Sequence, residues 1–230
     1  MKRTKLRDRL LPDYTLGEEI FNTVSHGVGA VFAIAALVLC VVMAALRGNA
    51  RAVVSAAIYG STMILLYTMS SIYHGLARNT AKKVFQVIDH CTIFFLIAGS
   101  YTPITLVTLH DISAARGWTL FGVVWGITAV GCVFTAIDWK KYNVFSMICY
   151  LGMGWCIVIF IDDVARALGT GGTVFLVIGG VLYTVGAVLY MLGHKHRYFH
   201  SIFHLFVLGG SISHFFTILL YILPCEKPLF

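Results

Sequence analysis

The stretch Tyr198-Phe199-His200-Ser201-Ile202-Phe203-His204 opens an apolar run that continues through residues 205–223. Two imidazoles four residues apart on a helix lie on one face, one turn from each other, a spacing at which both can ligate one metal ion. The run is long enough to cross a bilayer, so the pair stands near one end of a membrane span. Ionisable side chains in such a place are costly to bury and mark functional sites by default.

Composition agrees with a membrane setting. Of 230 residues, 59% are hydrophobic and 12% charged, and mean hydropathy is +0.85. Soluble domains are about half apolar and about a quarter charged, so most of this surface must face lipid. The apolar runs are residues 27–46, 52–77, 84–109, 118–137, 142–161, 173–193 and 199–223. Each approaches or exceeds the roughly 20 residues that a hydrocarbon core about 30 Å thick demands. The expected fold is all-α, a polytopic seven-transmembrane-helix bundle forming one domain over residues 1–230. Residues 1–26 are expected as a basic segment leading into an interfacial helix. Within that helix Asn22 and His26 are four apart, so both can instead point into the mouth of the bundle.

The side with more Lys and Arg faces the cytoplasm. Twelve of the 17 basic residues fall on the N-terminal side: Lys2, Arg3, Lys5, Arg7, Arg9, Arg78, Lys82, Lys83, Lys140, Lys141, Lys195 and Arg197. Arg47, Arg51, Arg116, Arg166 and Lys227 fall on the other. This predicts a cytoplasmic N-terminus and an outside C-terminus. A net charge of +7 spread over short loops is topological and gives no reason to expect a nucleic-acid partner. No secretory signal is expected, because the first apolar run is too long for one. The six cysteines form no C-x-x-C pair and read as packing residues.

Polar residues converge on the cytoplasmic side. Span two ends with Ser70 and His74, another i, i+4 pair, and span three carries Asp89 early in its length. His74, Asp89, His200 and His204 thus share a depth. Three neutral imidazoles with an open fourth position make the ligand set of a catalytic zinc site, and a nearby carboxylate can take a proton from water there. Ser70 is placed for hydrogen bonding to a ligand or to a substrate oxygen. Asp89 also reads as a helix N-terminal charge. Ser211 and His214 lie within about 40° of His200 around the helix, at 100° per residue. His214 is about 15 Å from His204 along the axis, too deep for the same metal, and reads as pocket lining or a buried hydrogen-bonding residue. His90 is turned about 100° from Asp89 and is expected to face a neighbour or the interface; His110, His194 and His196 read as interfacial.

The motifs Glu18-Glu19-x-x-Asn22-x-x-Ser25-His26, Ser70-x-x-x-His74, Asp89 with Gly99-Ser100-Tyr101-Thr102-Pro103, and His200-x-x-x-His204 with His214 resemble the hemolysin III family. That family is the bacterial branch of the progestin and adipoQ receptor proteins. The resemblance implies seven helices with a cytoplasmic N-terminus in a bacterial plasma membrane. It also implies kinship with a wider superfamily of membrane hydrolases that includes alkaline ceramidases. The superfamily's serine, aspartate and three histidines around Zn2+ map onto Ser70, Asp89, His74, His200 and His204. Three functions follow as expectations: zinc-dependent hydrolysis of a membrane lipid amide or ester, a non-catalytic membrane sensor with structural zinc, or a cytolytic, channel-like hemolysin.

Overall fold

The computed structural model describes residues 4–193 and 196–224. Lys2, Arg3, His194, Lys195, Cys225 and Lys227, on which parts of the expectations rest, lie outside them. Among the described residues the structure is helical throughout, without a strand. The long helices are α1 (Leu16–Arg47), α2 (Ala50–Gly75), α3 (Thr80–Pro103), α4 (Ala114–Trp155), α5 (Ile161–Leu192) and α6 (Phe199–Thr217).

The first three helices start where the sequence supplies a cap. Thr15 and Glu18 form a reciprocal capping box at α1. Asn49 accepts from the Ala52 N–H at 3.1 Å, and Asn79 from the Lys82 N–H at 3.0 Å. Each satisfies a backbone donor that the first turn leaves without a helical partner.

Residues 16–26 differ from the expectation of a separate interfacial helix. They are the first turns of α1, which runs unbroken through residue 27, and Glu18, Asn22 and His26 are buried. The polar face of that segment turns into the bundle, as in the alternative reading of Asn22 and His26.

Five stretches are long and apolar enough to cross a membrane: Leu16–Arg47, Ala50–Gly75, Thr80–Ile112, Ala114–Leu192 and Phe199–Ile222. The fourth is 79 residues long and occupies the region where the sequence analysis expects three spans. Non-helical backbone at Asp138 (φ −161°, ψ 88°) interrupts α4. The 3-10 turn Cys156–Phe160 separates α4 from α5, and Gly169 at φ 64° breaks α5 near its start. A positive φ costs glycine little, because no Cβ meets the backbone. Asp138 follows the expected span 118–137 directly, the 3-10 turn lies within the last residues of 142–161, and Gly169 lies between 161 and 173.

Helix α2 packs between α1 and α3, α4 packs on α3, and α5 packs on α6. The α2–α3 approach is close at Gly99, where a Cβ would overlap the Thr62 side chain. Beyond Pro103, α3 widens into a π-helical turn at Ile104–Leu109, a geometry that loosens the ladder where proline has removed a donor. The five described cysteines are free thiols.

Candidate metal centre

His74 sits in the last turn of α2, and His200 and His204 lie in the first two turns of α6. The folded chain brings the three rings together. The Nε2 atoms of His74 and His200 are 3.3 Å apart, and those of His200 and His204 are 3.1 Å apart. One ligand atom from each ring falls within 4.8 Å of the others. All three residues are buried, with 2%, 8% and 1% of their surface exposed.

These separations fit a metal. Tetrahedral zinc with Zn–N bonds of about 2.0–2.1 Å requires ligand nitrogens roughly 3.3 Å apart. Three neutral imidazoles turning their Nε2 atoms towards one point bring lone pairs together, an arrangement that a cation stabilises. The donor set therefore suits zinc.

Residues ahead of the first apolar run hold this geometry. Glu19 Oε2 lies 2.7 Å from His74 Nδ1, and the amide nitrogen of Asn22 stands 3.4 Å from the same atom. Glu18 Oε1 accepts the Tyr198 N–H at 2.8 Å. Tyr198 is a left-handed residue (φ 63°) immediately before α6. Such backbone in a non-glycine residue stores of order 1–3 kcal/mol of strain and needs a partner to hold it. Glu18 thereby fixes how α6, and with it His200, leaves the preceding turn. Tyr14 stacks on the His200 ring, with centroids 5.0 Å apart and planes 19° from parallel. Burial first, then the neighbouring Tyr73 and Tyr190 phenols and the Glu19 and Asp89 carboxylates, raise the Tyr14 phenol well above its ordinary pKa. It stays neutral.

Tyr14 belongs to a strap across the mouth. The Thr4 N–H donates to Asp138 at 2.9 Å, Arg9 to the Ile137 carbonyl at 2.9 Å, and Arg78 to the Pro12 carbonyl at 3.0 Å.

A cavity of about 140 Å³ opens beside the three histidines, and Ser70, Asp89, His26, His200 and His204 line its inner end. Leu66, Ile93, Leu96 and Ile97 continue it as an apolar chamber, and Met147, Leu151 and Trp155 of α4 face Gly180, Thr184 and Ala187 of α5 at its flank. A second cavity of about 270 Å³ lies towards Pro12, Tyr14 and Arg197. His90, Tyr190 and His200 line both.

Ser70 and Asp89 thus share a chamber with two of the three histidines. Asp89 stands about two and a half turns into α3, at 3.6 residues per turn, beyond the first turn where a helix dipole acts; this removes the alternative reading of it as a terminal charge. His26 stacks on the His204 ring at 3.7 Å. Ser211 does not line the chamber; it accepts the Tyr67 hydroxyl at 2.7 Å and shares a 2.8 Å hydrogen bond with Tyr183, which does line it. His214 lies 3.2 Å from the Leu176 carbonyl through Nε2 and lines the apolar end. His90 contacts the Gln86 carbonyl at 2.7 Å and Tyr190 at 3.1 Å; it meets neighbours but also lines both cavities, so it faces the site that it was expected to turn away from. Glu19, Lys82 and Tyr14 were not expected at the site: Glu19 stood only within the family motif and Lys82 only among the topology-setting charges. The signals available were that motif for Glu19, and for Lys82 and Tyr14 their place near the span-two exit and the Asn22 and His26 face.

The fold and site define a helical membrane protein with a buried three-histidine cluster able to hold a metal ion. Comparison with known proteins gives the lineage. The family profile described as Haemolysin-III related matches residues 14–215, and the chain belongs to the hemolysin III family. It is 40% identical to hemolysin-3 of Bacillus cereus, over 90% of this chain and 93% of that protein. It is 38% identical to the hemolysin-3 homolog of Bacillus subtilis, over 90% and 96%. It is also 27% identical to the human monocyte to macrophage differentiation factor, over 74% and 71%.

Proposed function

We propose that the chain is a zinc-dependent hydrolase of lipid amide or ester bonds, a seven-span protein of the bacterial plasma membrane with its metal on the cytoplasmic side. The observation that supports this most is the meeting of three Nε2 atoms at the polar end of an otherwise apolar chamber. His74, His200 and His204 would hold the metal. When bound, zinc supplies a Lewis acid that polarises a carbonyl and lowers the pKa of water to about 7. The chain's own residues do the rest. Asp89 takes the proton from the attacking water and returns it to the leaving amine or alcohol. Ser70, one turn from His74, donates to the substrate oxygen as charge develops on it. The apolar wall from Leu66 to Ile97 holds the hydrocarbon chain and keeps bulk water away. Membrane lipids enter between α4 and α5, whose mutual contact is sparse.

The test is purified protein assayed for metal and for release of fatty acid from lipid amides and esters. One zinc per chain is expected. Asp89→Asn should keep its zinc and lose about 10²–10⁴-fold in rate, the usual range for a general acid–base residue. Absence of zinc, or wild-type hydrolysis by Asp89→Asn, refutes the proposal.

A second reading is a non-catalytic membrane sensor. The ligands come from α2 and α6 and are almost fully buried, so zinc would also clamp two helices. In that case His200→Ala lowers thermal stability and no lipid is consumed, whereas single-turnover hydrolysis excludes the reading. The cytolytic, channel-like alternative needs a polar path, and the mostly apolar chamber wall suits an acyl chain better than ions.

A further inference from the structure

Lys82 is a lysine with 2% of its surface exposed, in a region where an ammonium ion is expensive to bury. Its Nζ lies 2.9 Å from Glu19 Oε1 and donates to the carbonyls of His74 and Leu76, each at 3.0 Å. An ammonium has three protons, and here each has an acceptor. Two of those acceptors lie at the C-terminal end of α2, where carbonyls lack helical donors. The remaining carboxylate oxygen, Glu19 Oε2, faces His74 Nδ1 at 2.7 Å. Lysine, glutamate and histidine therefore form one chain of contacts from α3 through α1 to α2, ending on an imidazole whose Nε2 faces the other two.

We propose that Glu19, pinned by Lys82, is a positioning residue for the metal. It holds the His74 proton on Nδ1, so that the Nε2 lone pair points to the cluster, and it fixes the angle of the ring. The inference rests on the zinc reading above. Its physical reason is general: a carboxylate on the far nitrogen of a ligating histidine fixes tautomer and ring angle, and its loss weakens metal binding 10–100-fold. Lys82 adds a second effect. By tying Glu19 and the end of α2 to the same ammonium, it makes the carboxylate and the imidazole move together. An alternative is that Glu19 and Lys82 are only a structural ion pair joining α1 to α3. That alternative predicts a change in stability with no change in metal affinity.

Competition between the detergent-solubilised protein and a chromophoric chelator separates the two, with thermal unfolding of the metal-free protein measured in parallel. Glu19→Gln keeps size and an acceptor oxygen but removes the charge, and should weaken zinc binding by about 10–100-fold. Lys82→Met leaves the carboxylate in place but free to turn, and should weaken zinc binding by a smaller factor. With cobalt in the site, the d–d absorption of Glu19→Gln should shift, because one ligand ring is no longer held at its angle and the coordination geometry changes. Asp111→Asn, which removes an exposed ion pair with Arg51, should leave affinity unchanged. Wild-type zinc affinity in Glu19→Gln, whatever its unfolding temperature, overturns the inference while leaving the zinc reading standing. If Glu19→Gln does not fold, wild-type affinity in Lys82→Met overturns it instead. A wild-type protein that binds no zinc overturns both.

Discussion

Helix α3 and the stretch formed by α4 and α5 are both apolar enough to span a membrane, α4–α5 the more so, and they differ in what surrounds them. Within the most hydrophobic 18 residues of Thr80–Ile112, 83% are buried, against 17% in Ala114–Leu192. Val130, Val133, Ile148, Ile159 and Val181 are among the large side chains that α4, α5 and the turn between them turn outward. Helix α3 is the inner wall, and α4 and α5 are the lipid-facing wall. The chemistry-bearing groups follow this division, since Ser70, His74, Asp89, His200 and His204 lie on α2, α3 and α6. Hydropathy measures transfer out of water and is silent on whether lipid or protein receives the side chain. The two walls should therefore answer substitution differently.

The largest expected effect is at the cluster itself. His204→Ala should abolish stoichiometric zinc in metal analysis, because two imidazoles do not make a closed site. Next comes the inner wall. Gly99→Leu places a branched side chain against Thr62, where even one carbon overlaps, and should cost at least about 1–3 kcal/mol, seen as a lower thermal midpoint. At the junction of the two walls, Ala187→Trp fills the chamber flank. It should reduce lipid turnover while leaving zinc content and thermal midpoint near wild type. The smallest effect belongs to the outer wall. At Gly122 nothing lies within 4 Å of an added Cβ, so Gly122→Ala should stay within about 1 kcal/mol of wild type and stabilise through helix propensity. Equal sensitivity at Gly99 and Gly122 would erase the distinction between the walls.

Much of this was legible without a structure. The apolar runs announced a helical membrane protein, and the i, i+4 pairs Ser70/His74 and His200/His204 announced inward faces that the folded chain brings together. The gaps between the runs 118–137, 142–161 and 173–193 contain Asp138 and Gly169, where the helix is interrupted. The segment before residue 27 was harder to read. Glu18, Glu19 and Lys82 look like ordinary charges at a membrane boundary, and solvated charges are the commoner case. Their burial depends on α1 running straight into the bundle beside the ends of α2 and α6, a long-range arrangement that no local pattern encodes. Tyr14 is similar, since nothing in its neighbours shows that it will stack on a ring 186 residues later. The π-helical turn after Pro103 was hidden too, because proline announces a lost donor and leaves the manner of relaxation open.

The order in which the ligands occur along the chain has a consequence for biosynthesis. His74 is on the second helix and His200 and His204 are on the last. A chain emerging N-terminus first carries His74 into the membrane well before its partners are made. Until α6 arrives there is no three-histidine cluster, only a single imidazole held by Glu19. Metal capture by all three is thus available only to a chain translated and inserted to its final helix. A truncated or mis-threaded product lacks the cluster.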